Sequence, residues 1–177
     1  MFNIKTFTKV MGLAVFASTS SIAATDGTLG TTSTFSYNVT ITIPERVRIS
    51  GLQDAAFGAF GSSDTRINDD VCIYSNTSGG NYDVTATGSG AGNAFTIASG
   101  PNTVPYRLFW NDVTGTVGQT ELSAGTTLVG QTGADRTDTS CSGGNNANID
   151  ILIERASVEG NPNGTYTGVI TLVIEPN

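Results

Sequence analysis

Phe35, Tyr37, Val39, Ile41 and Ile43 take every second position of FSYNVTITIP, and Ser36, Asn38, Thr40 and Thr42 fill the positions between them. Only an extended chain sends alternate side chains to opposite faces, so this segment is expected to be a strand with one apolar and one polar face. Pro44 cannot donate to a β-ladder and sets the segment off from RVRISGL, where Val47, Ile49 and Leu52 predict a second strand. A strand this regular has to bury its five large side chains somewhere. Alternation alone fits either of two cores, its own or a neighbour's.

The rest of the chain is written in the same style. Clusters of Gly, Ser, Thr and Asn recur at intervals of roughly ten residues, with short segments rich in Val, Ile, Thr, Tyr and Phe between them. Further strands are expected over 46–52, 71–75, 82–87, 94–98, 104–110, 126–129, 148–156 and 165–175, and helical periodicity is hard to find. Many short strands with regular turn signals imply an all-β fold, an immunoglobulin-like β-sandwich. In the last strand Tyr166, Ile170, Leu172 and Ile174 share one face, and Gly168 leaves a gap in that row, which marks a place where another backbone or side chain comes close.

The first 24 residues read as a secretory signal: two lysines, an apolar run from Val10 to Ala17 too short to span a bilayer, then small residues up to Ala24. What remains has one domain's worth of length. It carries six arginines against 15 acids, a net charge of −9, with neither lysine nor histidine. Such a surface repels phosphate backbones and anionic lipid, so nucleic acid and membrane insertion are not expected. In an exported chain Cys72 and Cys141 are expected to pair, because a zinc site or a catalytic thiol would need histidine or further cysteines.

An enzyme is not expected. Without histidine or mature lysine there is no Ser-His-Asp, Cys-His or Ser-Lys arrangement, and no metal or other cofactor is implied. Asp64, Asp69 and Asp70 in SSDTRINDD match no calcium-loop spacing and read as a solvated acidic loop. GSGAG at 88–92 lacks the helix that a phosphate loop needs and reads as a hairpin loop. Asp112 and Glu154 are a formal candidate for a glycosidase carboxyl pair, and Trp110 or the loop around Asp112 for a lectin-like sugar platform on a monomeric secreted sandwich. A core tryptophan is the commoner outcome.

YNVTITIPERVRISGL resembles the N-terminal segment of α-type colonisation-factor pilins. GTYTGVITLVIEPN is similar to the C-terminal strand of chaperone–usher pilus subunits, whose glycine fourteen residues from the end is matched by Gly164. CIYSNTSGGNYDVTATG resembles archaic pilins and spore coat protein U-like domains. Two departures stand beside these likenesses: Pro176 takes the next-to-last place, where many subunits have an aromatic residue, and no cysteine precedes Cys72.

The resemblance implies an incomplete sandwich that is completed by donor-strand exchange. Residues 25–44 would then hold the leader and the donor strand, with Phe35, Tyr37, Val39, Ile41 and Ile43 inserting, and residues 45–177 would be the pilin-like domain. Gly164, Tyr166, Gly168, Ile170, Leu172 and Ile174 would form the acceptor groove and the chaperone-binding strand. The implied partners are neighbouring subunits, a periplasmic chaperone and an outer-membrane usher. The implied role is a structural fimbrial subunit at the cell surface, serving adhesion or biofilm formation.

Overall fold

The computed structural model describes residues 24–177, so the expected signal lies outside the described residues apart from Ala24. The chain divides between Ile43 and Pro44. In the first unit Thr25 and Ser36 form a single antiparallel bridge, exchanging two backbone hydrogen bonds of 3.1 and 3.3 Å. Residues 37–43 belong to no strand, contrary to the strand expected over 35–43. The physical reason is that alternation specifies a face but not a hydrogen-bonding partner, and a lone strand has no ladder to hold it.

The second unit is two packed layers of antiparallel sheet. One sheet has the order β1 (Val47–Ser50), β2 (Thr65–Ser75), β9 (Ala147–Ile153), β6 (Arg107–Asn111), β7 (Thr120–Glu121). The facing sheet has the order β10 (Ile170–Pro176), β3 (Tyr82–Gly88), β8 (Thr127–Gln131). A hairpin of β4 (Thr96–Ser99) and β5 (Asn102–Pro105) stands beside them. It turns through Gly100 and Pro101, and the positive φ of Gly100 (58°) suits the first central position of such a two-residue turn. Alternate residues of β2, β3, β6 and β9 meet between the sheets: Val71, Ile73, Tyr82, Val84, Leu108, Trp110 and Ile149 are buried in one cluster. Trp110 meets Tyr82 edge-on, with ring centroids 6.4 Å apart.

Several expected elements shift for visible reasons. The 104–110 strand is two strands in different sheets. Pro105 ends β5, and the Tyr106 N–H turns to the Phe95 carbonyl at 3.0 Å before β6 begins. The 148–156 strand stops at Ile153, after which Arg155–Val158 form a one-turn helix, α1, whose first N–H donates to the Asp64 carboxylate at 2.9 Å. The 165–175 strand starts only at Ile170, because Thr167 first pairs with Ala98 of β4. The glycine-rich loop at 88–92 is not a hairpin: β3 and β4 lie in different sheets, and a 3₁₀ turn over Ala91–Asn93 bridges them.

SSDTRINDD is not an acidic loop either, since its last six residues, Thr65 to Asp70, begin strand β2. There Asp70 accepts hydrogen bonds from the Gly115 N–H (2.8 Å) and the Asn148 amide (2.7 Å). On the same outer face Arg66 pairs with the buried Asp150, and Arg66 and Arg107 both lie over the Phe109 ring, at 5.2 and 5.0 Å. Cys72 in β2 and Cys141 are joined as a disulfide. No helix among the described residues is long and apolar enough to cross a membrane.

Candidate functional site: an open apolar groove

β1 ends at Ser50 although β2 runs on to Thr65, and β10 has a hydrogen-bonded neighbour only in β3. Among the described residues, β1 and β10 are therefore edge strands of opposite layers, and between the layers the core lies open. The resulting groove encloses about 1150 Å³. Its floor is the inner row of β9, Ile149, Ile151 and Ile153, with Ile49 and Ile67 on one wall and Ile170 and Leu172 on the other. Ile170 and Leu172 are only half-buried, although they stand on the same face of β10 that packs the core. An apolar row left half-covered along a free edge presents both hydrophobic surface and unpaired backbone groups to whatever comes beside it.

The C-terminal residues singled out by their alternation fall in different places. Gly164, Tyr166, Gly168, Ile170 and Leu172 all line the groove, whereas Ile174 packs on the closed part of the core. Gly168 is a genuine close approach, but the neighbour is the chain itself: a Cβ there would sit 2.8 Å from the Thr96 carbonyl oxygen. A second hydrophobic cluster, Val104, Tyr106 and Ile153, closes one end of the groove. Tyr106 stacks on Phe95 at 5.8 Å, and burial pushes its hydroxyl up to about 12.

Three groove features were not anticipated from sequence. Phe57 and Phe60 belong to a segment without secondary structure and yet pack on the second cluster. Asp69, which lies on the inner row of β2, puts a carboxylate into the groove wall. The inner row of β9 was legible as strand but not as groove, because its alternation is that of any core strand.

The apolar residues of FSYNVTITIP are exposed. Phe35 is 56% exposed, and Val39 and Ile41 are each 83% exposed. These are values for surface polar residues, not for a regular apolar row.

The candidates for chemistry do not assemble. Trp110 is 1% exposed and cannot present a face to a sugar. Asp112 is engaged by Thr132, whose hydroxyl and N–H donate to it at 2.9 and 3.2 Å. Glu154 pairs with Arg107 at 3.2 Å, next to the Arg107–Glu121 pair. Asp112 follows the Asn111–Asn148 rung of the β6–β9 ladder, while Glu154 lies past the Arg107–Leu152 rung at its other end. They are thus separated by roughly 20 Å along the strands. A glycosidase pair needs about 5–9.5 Å.

No family model and no curated protein sequence matches the chain significantly. Solved structures do match. A chain of the chaperone–tip adhesin complex described as vital for synergistic activation of CFA/I fimbriae biogenesis aligns with a TM-score of 0.54 at 16% identity, over 74% of this chain and 41% of that one. The fold is an immunoglobulin-like β-sandwich. A weaker likeness, TM-score 0.40 at 17% identity, covers 76% of this chain and 40% of a chain in the CsuC–CsuE chaperone–tip adhesion subunit pre-assembly complex from archaic chaperone–usher Csu pili of Acinetobacter baumannii. This chain thus spans about two-fifths of the length of each.

Proposed function

We propose that the chain is a non-catalytic structural subunit of a bacterial surface fimbria, polymerised by donor-strand exchange and serving adhesion or biofilm formation. Residues 1–24 are the export signal, residues 25–44 the leader and donor strand, and residues 45–177 the acceptor sandwich. Phe35, Tyr37, Val39, Ile41 and Ile43 enter the groove of the next copy. Gly164, Tyr166, Gly168, Ile170 and Leu172 receive them, with Ile174 packing behind. Before assembly the same groove takes a strand from a periplasmic chaperone, and an outer-membrane usher conducts the exchange on the way to the cell surface.

One observation carries this reading: the same chain holds an exposed, strand-patterned segment with no ladder and a sandwich with a strand-shaped opening beside a free edge. Each supplies what the other lacks. Inserting a strand buries an apolar row and pairs an edge that would otherwise invite aggregation. Five large side chains at roughly 1.5–3 kcal/mol each give about 7–15 kcal/mol of gross burial, from which strand ordering subtracts. The contact is head-to-tail and does not close on itself, so it propagates as a filament.

Ile41→Asp tests the assignment. An ionised carboxylate in an apolar groove costs several kcal/mol, so the variant is expected to be exported as a folded, disulfide-bonded monomer without surface fibres in electron micrographs. A variant that loses its fold would assign residues 35–43 to the subunit's own core.

A further inference from the structure

The 14-residue connection from Gly51 to Asp64 runs along the groove. Leu52 to Phe60 all line the opening, yet in this stretch only Phe57 and Phe60 are even partly buried. In a strand, residues three apart point to opposite faces. Gly58, with φ at 68°, breaks that alternation, and both rings rest on the Val104, Tyr106 and Ile153 cluster. No strand or helix is assigned from Gly51 to Asp64. Between Leu52 and Phe60 the two aromatic rings are what attaches it to the second cluster.

The apolar row from Phe35 to Ile43 covers eight residue steps, about 26 Å, while the row Ile149 to Ile153 on the groove floor covers four, about 13 Å. Two of the five donor side chains must therefore lie past the ends of that row. At one end β1 and β10 already touch each other. The other end is the cluster on which Phe57 and Phe60 sit.

We infer that the 52–60 strap is a resident occupant of the far end of the groove and that an incoming donor strand displaces Phe57 and Phe60 as it completes insertion. This rests on the donor-strand reading above and adds a competitor to it. The first part of insertion takes the groove floor over from the chaperone's strand, while the last part exchanges two aromatic side chains for two donor side chains on one apolar cluster. The strap thus sets the rate at which insertion completes, and a second copy of this chain is the ligand that removes it.

Chymotrypsin cleaves after phenylalanine, so it reads the strap directly. Exported full-length fibres and the monomeric Ile41→Asp chain are digested under native conditions, and cuts after Phe57 and Phe60 are timed by mass spectrometry. Displacement predicts cleavage several-fold faster in fibres than in the monomer. Equal or greater protection in fibres overturns the inference and leaves donor-strand assembly standing. Wild-type protein that forms no heat-labile oligomer overturns the donor-strand reading, and the inference with it. The doubly substituted Phe57→Ala, Phe60→Ala chain is expected to assemble faster than the parent; assembly at the parental rate or slower also counts against displacement. Should that variant fail to fold, the wild-type digestion decides alone.

Discussion

Gly168 shows how one missing side chain fixes the path of the last strand. The chain first pairs Thr167 with Ala98, then crosses to β3 at Ile170, and at the crossing the Thr96 carbonyl oxygen comes so close that a Cβ has no room. Backbone cannot swing aside as a flexible side chain can, so Gly168→Ala is expected to destabilise the folded subunit by about 1–3 kcal/mol. The midpoint of urea unfolding would fall accordingly; an unchanged midpoint would mean that the crossing is loose. The same residue marks a limit of sequence reading. The gap in the alternating row announced a close approach, but no pattern could say that the neighbour was the chain's own β4 rather than an inserted strand. Phe57 and Phe60 were silent for a related reason, because a spacing of three breaks strand alternation and the glycine between them argues against a helix.

At the scale of elements, the hairpin of loops that carries Cys141 is held by carboxylates. Asp138 accepts from the backbone N–H and hydroxyl groups of both Ser140 and Ser142, and Asp135 does the same with Thr137 and the Asp138 N–H. These donors favour the ionised form and hold both carboxyls below the usual carboxylate range. The folded pKa is depressed, so the unfolded chain takes up protons first. The stabilisation is complete above the unfolded value, about 3.9, and is lost as pH falls through the folded value. Asp138→Asn is therefore expected to lower the denaturation midpoint at pH 7, with the gap to the parent narrowing as pH falls below about 4. Parallel curves down to pH 2 would contradict this. The disulfide that this loop carries closes 69 residues of separation, a constraint on the unfolded chain worth about 4 kcal/mol.

Element existence was largely legible, because alternation and turn residues report local physics. The strands over 46–52, 71–75, 82–87, 94–98 and 126–129 all have counterparts in β1, β2, β3, β4 and β8. What failed was partnership and extent. The acidic stretch that continues β2 down to Thr65 has no apolar alternation on its outer face, since Arg66, Asn68 and Asp70 there serve a polar network with Asp150 and Asn148. Composition made it look solvated. The strand split at Tyr106 was equally hidden, because Val104 and Leu108 read as one alternating row until Pro105 is seen to end the first sheet.

For the whole molecule, the decisive property is an imbalance that neither unit resolves alone. The sandwich has a half-covered apolar row along β10, and the segment before Pro44 has an apolar row with no cover. Hydrophobic burial and edge pairing both favour joining the two, and the proposed joining between copies would give a filament whose subunits separate only when a whole strand is withdrawn. The most direct test is an SDS gel of the natively exported protein, run unheated beside a boiled sample. Strand donation between copies predicts a ladder of oligomers that collapses to a single band on boiling. A lone monomer band in both lanes, from protein shown to be folded, would contradict it and return the 35–43 strand to its own sandwich.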